Sequence, residues 1–221
     1  MCDEIQNSSH VIRKSLTVMN ALAEAHQETS RHQENVTRIL DAAERLFRHY
    51  GYTKTTVADI ARDLGMSSAN IYRFFGSKVE IHQALASRML AAHYDLVCNA
   101  ASLDATASDR LRAYVLNQYN MTVETMLDEQ KVHEMVVIAM ERDWSVIDAH
   151  FDRVNEVLAG IIRDGIAAGE FAEQDADAAA RCFSASIVTL CHPQVVAQCL
   201  AKTNRATVDE LIEFAIRALK A

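Results

Sequence analysis

Apolar residues recur along this chain at steps of three and four, the period of a helix buried on one side. Val36, Ile39, Leu40, Ala43, Phe47 and Tyr50 line one face of a helix over 34–50, and Gly51 stops it. Val57, Ile60, Ala61 and Leu64 make a shorter stripe, opened by Thr56 with Asp59 three residues on and closed by Gly65. A second short helix starts at Ser67 and is too polar on one side to form a core by itself. Ser77 with Glu80 forms a capping box for a long helix to Asn99, with Ile81, Leu85, Met89, Ala92 and Leu96 on its stripe. Further helices are predicted over 108–127, 131–142 and 144–168, the last ended by Gly169. An Asp175 cap opens another over 176–201, and a Thr207–Glu210 box opens the final one over 208–220. No alternating run of strand length stands out, so the predicted fold class is all-α with nine helices.

The pair of short helices around Gly65 carries the functional signal. A helix, a tight glycine turn and a short helix with an unpartnered outer face describe a DNA-binding helix-turn-helix. The order ILDAAERLFRHYGY, TTVADIARDLGMS and SANIYRFFGSK resembles the DNA-binding end of TetR/AcrR-type transcriptional regulators, from about Val36 to Met89. The resemblance implies three regions: a flexible N-terminal extension (1–33), a helix-turn-helix DNA-binding domain (34–78) and a helical effector-binding and dimerisation domain (79–221). Within the first, Val11–Ala25 has an amphipathic pattern that reads as a mobile arm or as disorder, and Met19 offers an internal start.

By helical spacing Ser68, Asn70 and Arg73 face outward from the recognition helix, where Arg can read guanine and Asn adenine. Ser67 caps that helix and belongs to the same DNA-facing end, and Ala69 is small enough to approach a thymine methyl. Tyr72 and Lys78 match the family's phosphate contacts, and Thr56 adds one from the preceding helix. Phe74 either touches the DNA or anchors the helix, while Ile71 and Phe75 pack inside. A cation at position 78 faces the positive end of its own helix, so something must compensate it, and a phosphate would.

Composition refines this picture. One proline, few glycines and 50 % hydrophobic residues in 221 suit a helical chain with a sizeable core. The net charge of −8 looks wrong for a nucleic-acid binder, yet Arg31–Lys78 holds eight Lys/Arg against five Asp/Glu. A basic end on an acidic body is workable, because DNA responds to local charge. MCDEIQNSS lacks the pattern of a secretory signal, no apolar run is long enough to span a bilayer, and five cysteines without CxxC spacing suit reduced thiols. A cytoplasmic protein with no membrane partner is expected.

No catalytic constellation emerges: HExxH, GxSxG, Walker A and GxGxxG are absent. No cofactor and no metal are expected, and Cys182, Cys191, His192 and Cys199 read as small core residues more than as a sensing group. Pro193 should kink or break the helix it falls in.

Similar regulators hold a small-molecule effector between their fourth and eighth helices. Here the residues that could line such a pocket are His93, Tyr94, Tyr114, Tyr119, His133, Met140, Trp144, Phe151 and Phe183, each of which also reads as ordinary core or surface. Similar proteins pair through their last two helices, which points to Val208, Leu211, Ile212, Ala215 and Leu219 as a dimer face. The expected function is a one-component regulator, a homodimeric repressor on a palindromic double-stranded DNA operator, released by its effector. The alternative is a helical small-molecule-binding or protein-interaction protein with a vestigial helix-turn-helix.

Overall fold

A computed structural model describes residues 2–126, 138, 144–192, 195–196 and 204–220, with side chains from His26 onward. Nine helices and no strands occur among the described residues: α1 (Cys2–Tyr50), α2 (Val57–Asp63), α3 (Ser68–Tyr72), α4 (Lys78–Ala101), α5 (Ala107–Met126), α6 (Trp144–Ala167), α7 (Ala176–Ser186), α8 (Val188–Cys191) and α9 (Val208–Leu219). They are not the same nine that the pattern predicts. The 131–142 helix lies outside the described residues apart from Ile138, and the 176–201 helix is interrupted at Ile187 and again at His192.

The helix expected from Glu34 begins at Cys2 instead. No glycine or proline interrupts residues 2–50, so nothing local stops the backbone from continuing as helix. Every residue from His26 to Glu34 is exposed, and burial starts in earnest at Ile39. Tyr50, expected on the buried stripe, is 55 % exposed at the helix end, where its ring meets that of His49.

The break between α7 and α8 falls at Ile187, six residues before Pro193. The Ser186 hydroxyl donates to the Phe183 carbonyl at 2.7 Å, which competes with the helical ladder there. The chain then stops being helical at His192, which is extended (φ −81°, ψ 119°). Proline at 193 imposes that state, because its ring excludes the helical region for the residue before it.

Two separate cores result. Ile39, Leu40, Ala43, Phe47, Val57, Ile60, Ile71, Ile81 and Leu85 close the first, drawn from α1 to α4, with Ile138 packed at its margin. Val97, Leu111, Tyr114, Leu158, Ile162, Phe183, Ile212 and Leu219 belong to the second, drawn from α4 to α9. Truncating a side chain as deep as Phe47 should cost about 3–5 kcal/mol.

Helix α4 enters both cores. Its buried face is Ile81 and Leu85 at one end, then Val97 and Ala100 at the other, while Ala92 between them is exposed. The single stripe predicted through Met89, Ala92 and Leu96 therefore gives way to two faces, because the helix passes from one packing environment to another. Arg88 fixes its near end to α1 through Asp41 at 2.6 Å and Glu44 at 2.5 Å. These hydrogen bonds outweigh the cost of burying the guanidinium and hold its pKa above the usual value.

Candidate nucleic-acid interface

Local chemistry makes the helix-turn-helix. Thr56 caps α2, accepting from Asp59 N–H at 3.2 Å, while the Asp59 carboxylate accepts from Thr56 N–H at 3.0 Å and from its hydroxyl at 2.6 Å. The Thr56 hydroxyl and amide therefore hold Asp59 below the usual carboxylate range. Gly65 ends the helix with φ +66°, and two bonds complete its C-cap: Met66 N–H to Ala61 O at 2.8 Å and Gly65 N–H to Arg62 O at 3.2 Å. Ser67 then caps α3 by accepting from Asn70 N–H at 3.2 Å.

Helix α3 is anchored from beneath by Ile71, fully buried, and Phe75. On the opposite side Ala69, Tyr72 and Arg73 are exposed, with Ser68 and Asn70 half-buried. Tyr72 is 52 % exposed, a large apolar ring held in water. Arg73 makes no ion pair with any described residue, unlike Arg45 and Arg62, which are bridged to Asp63 and Asp59. Phe74 is half-buried, packs at the margin of the first core, and lies 5.1 Å from the His32 ring of α1. Its anchoring reading is the one the packing favours.

Two expected phosphate anchors have other partners. The Lys78 ammonium donates to the carbonyls of Tyr52 and Thr55 at 2.9 and 3.0 Å and sits 4.2 Å over the Tyr52 ring. Carbonyl dipoles and a ring face supply the compensation that a cation at a helix N-terminus needs. Lys78 thereby ties the first turn of α4 to the turn between α1 and α2. Thr56 gives its hydroxyl proton to Asp59. One cation that the recognition pattern passes over is Lys54, exposed in that same turn and without a described ion pair. Its only signal in the sequence is a lysine within a glycine-started turn.

The predicted pocket residues scatter. His93 and Tyr114 come together, their rings 6.2 Å apart, and Phe183 is buried in the same core. Tyr119 packs at its edge. Tyr94 is half-buried beneath the Arg153 guanidinium, 4.1 Å away. Phe151 is 51 % exposed, with its ring 5.6 Å from that of His150. His133, Met140 and the Trp144 side chain lie outside the described residues.

What the pattern missed is His150, 5 % exposed, whose Nε2 lies 2.7 Å from His93 Nδ1. Burial, with His150 adjacent, pushes the His93 pKa down to about 4, and burial lowers His150 as well. The neighbouring Gln118 and Thr122 are buried too. A histidine pair 57 positions apart in sequence has no local signature.

The predicted dimer stripe also needs correction. Ile212, Ala215 and Leu219 are at most 5 % exposed within the single chain, and Val208 and Leu211 pack against the same core. They pack this helix against α5 and α7 of its own chain. The exposed face of α9 carries Phe214, 62 % accessible. Cys182 is exposed and Cys191 half-buried, Cys199 lies outside the described residues, and no metal-sized His, Cys, Asp or Glu group occurs among the described residues. None of the described helices is long and apolar enough to cross a membrane.

A helix-turn-helix with an exposed second helix, joined by one long helix to a separate helical core, is the architecture of a DNA-binding regulator. Residues 39–85 match the family model for bacterial regulatory proteins of the tetR family, and residues 107–212 match that for the tetracyclin repressor-like C-terminal domain. The HTH-type transcriptional regulator TtgR of Pseudomonas putida is 31 % identical over 67 % of this chain and 74 % of its own length. The probable regulator ArpR of the same species is 30 % identical, over 62 % and 70 %. This chain belongs to the TetR family, whose members are DNA-binding transcription factors and not enzymes. Its fold agrees with a TetR/AcrR regulator from Thermobifida fusca, with a TM-score of 0.63 at 20 % identity over 84 % of this chain and 96 % of the other.

Proposed function

We propose that this regulator is a homodimeric repressor that seats α3 of each chain in successive major grooves of a palindromic operator and is released by a small-molecule effector. One observation carries the reading: α3 holds Ala69, Tyr72 and Arg73 in solvent while Ile71 and Phe75 pin it from below. A five-residue helix followed by an arginine with no ion pair among the described residues presents its outer face to an external partner. Arg73 and Asn70 read base edges, Ala69 meets a thymine methyl, and Ser68 lies beside them at the start of the helix. Tyr72 and Lys54 hold phosphates and set register. Ser67 and Thr56 act through the caps they make.

Dimerisation brings the two α3 helices about 34–36 Å apart, one turn of DNA. The exposed Phe214 supports pairing through the outer face of α9. The effector acts through α4, which packs in both cores: a ligand that prefers a shifted α4 also prefers mismatched reading heads.

The test is a footprint on the DNA upstream of the protein's own gene, with affinity followed against salt. Protection of a two-fold-symmetric site with a steep salt slope is expected. Protection that ignores symmetry, or none at all, would overturn the reading.

A further inference from the structure

We propose that the junction of α4, α5, α6 and α8 binds a neutral aromatic molecule bearing a hydroxyl group, held by Gln118 Oε1 and His93 Nε2; this rests on the effector reading above and specifies its ligand. Both atoms are sealed from solvent and have no hydrogen-bond partner among the described residues. A buried polar atom left so is costly, and native structures rarely keep one without a reason.

The network fixes what each atom requires. Thr122 has one hydroxyl proton and gives it to the Cys191 carbonyl at 3.2 Å. It can therefore only accept from Gln118, whose Nε2 lies 3.3 Å away. That pins the amide and leaves Gln118 Oε1 as an acceptor awaiting a donor. At the histidine pair one proton lies between His93 Nδ1 and His150 Nε2. Whichever ring supplies it, His93 Nε2 is left as an unanswered donor or acceptor. A hydroxyl that gives its one proton to Gln118 Oε1 can only accept at His93 Nε2, which then carries its ring proton while His150 supplies the one between the rings.

Tyr114 links the two side chains. Tyr114 and Gln118 stand four apart on α5, so their Cβ atoms are about 5–6 Å apart, and the His93 ring packs 6.2 Å from that of Tyr114. An aromatic ring suits these surroundings. The rings of His93, Tyr114 and His150 supply flat faces for it.

Charge among the described residues favours a neutral ligand. No Lys, Arg, Asp or Glu is among the buried residues described. Burial holds the histidines neutral, raises Tyr114, and pushes Cys191 up to about 12. The nearby cation, Arg153, is exposed and stacked on Tyr94. A carboxylate or ammonium entering this junction would lose its hydration without gaining a counter-charge.

Isothermal titration of the full chain near neutral pH with 4-propylphenol, 4-propylanisole and 4-propylbenzoate tests this. The three share a body and differ in donor and charge. The phenol should bind about tenfold or more tighter than the anisole, which cannot donate, and the benzoate should bind weakest. In Gln118→Met the phenol and anisole should converge to within about threefold, with anisole binding retained. A merely structural Gln118 would lower both together. Equal phenol and anisole, a preferred benzoate, or no binding up to about 1 mM would overturn the proposal, the last meaning that water alone answers these atoms. Operator binding, read separately by anisotropy, distinguishes the two readings. A protein that binds operator but prefers benzoate loses this inference only. One that binds the phenol and keeps its operator affinity loses effector release only.

Discussion

The two cores of this regulator solve opposite problems. The reading head turns its unpartnered groups outward: Tyr72 and Arg73 stand in water above a base of Ile60, Ile71 and Ile81, each fully buried. The larger core turns its unpartnered groups inward, at Gln118 Oε1 and His93 Nε2. An exposed unpaired group costs little because water serves it, whereas a buried one costs stability until something answers it. The first arrangement suits a partner that arrives as a surface, and the second suits one that is engulfed.

The contrast breaks most sharply at α3. Asn70→Ala with Arg73→Ala should weaken operator binding by about 10²-fold or more, since each paired base contact is worth about 1–3 kcal/mol. Anisotropy on operator and scrambled DNA would show it, with unchanged urea stability. Equal loss on both DNAs would mean these residues hold phosphates and do not read bases.

Next in size is acid sensitivity of the larger core. His93 has a folded pKa of about 4 against an ordinary 6.5, so the unfolded chain takes its proton first. Stability is fully present above about 6.5 and is lost as pH falls from there to about 4, by roughly 2–3 kcal/mol. The lowered His150 acts in the same direction. Urea unfolding at both ends of that window would measure the loss, and His93→Phe should flatten it. A variant that keeps the full wild-type slope would place the effect elsewhere.

Gly165 within α6 gives a smaller effect with a telling sign. Alanine in a helix interior ordinarily gains about 0.5–1 kcal/mol over glycine. Here a Cβ would lie 2.4 Å from the Phe171 ring and 2.8 Å from Ala107 Cβ. Gly165→Ala should therefore destabilise by about 1–3 kcal/mol, lowering the melting temperature while operator affinity of the folded protein holds. A raised melting temperature would show that this contact yields freely.

The reading head was legible because its determinants are local. Caps at Thr56 and Ser67, the Gly65 stop and the Ile60–Ile71 anchors all lie within a few residues of what they organise. The larger core was legible as helices but not as a site. His93 meets His150, and Thr122 meets Cys191, across separations that leave no periodic trace. Glu170 is another case: its carboxylate accepts from Ala107 and Ser108 N–H at 2.8 and 2.9 Å and caps α5 from the far end of α6. The α9 stripe was read correctly as amphipathic and assigned to the wrong neighbour, since periodicity says that a face is buried but not against which chain.

The smallest effect on operator binding separates Lys78, which the recognition pattern singles out, from Lys54, which it passes over. Each phosphate contact contributes about 0.9 to the slope of log affinity against log salt. Lys54, exposed and unpaired among the described residues, should lose about that much in Lys54→Gln, with only a several-fold drop in affinity. Lys78 is bound to the Tyr52 and Thr55 carbonyls, so Lys78→Met should leave the slope intact and reduce urea stability by about 1–2 kcal/mol. Such a result would make Lys78 part of the joint through which α4 meets the reading head. A slope that falls in Lys78→Met and stays level in Lys54→Gln would reverse the assignment, with the ammonium leaving its carbonyls for DNA when the operator arrives.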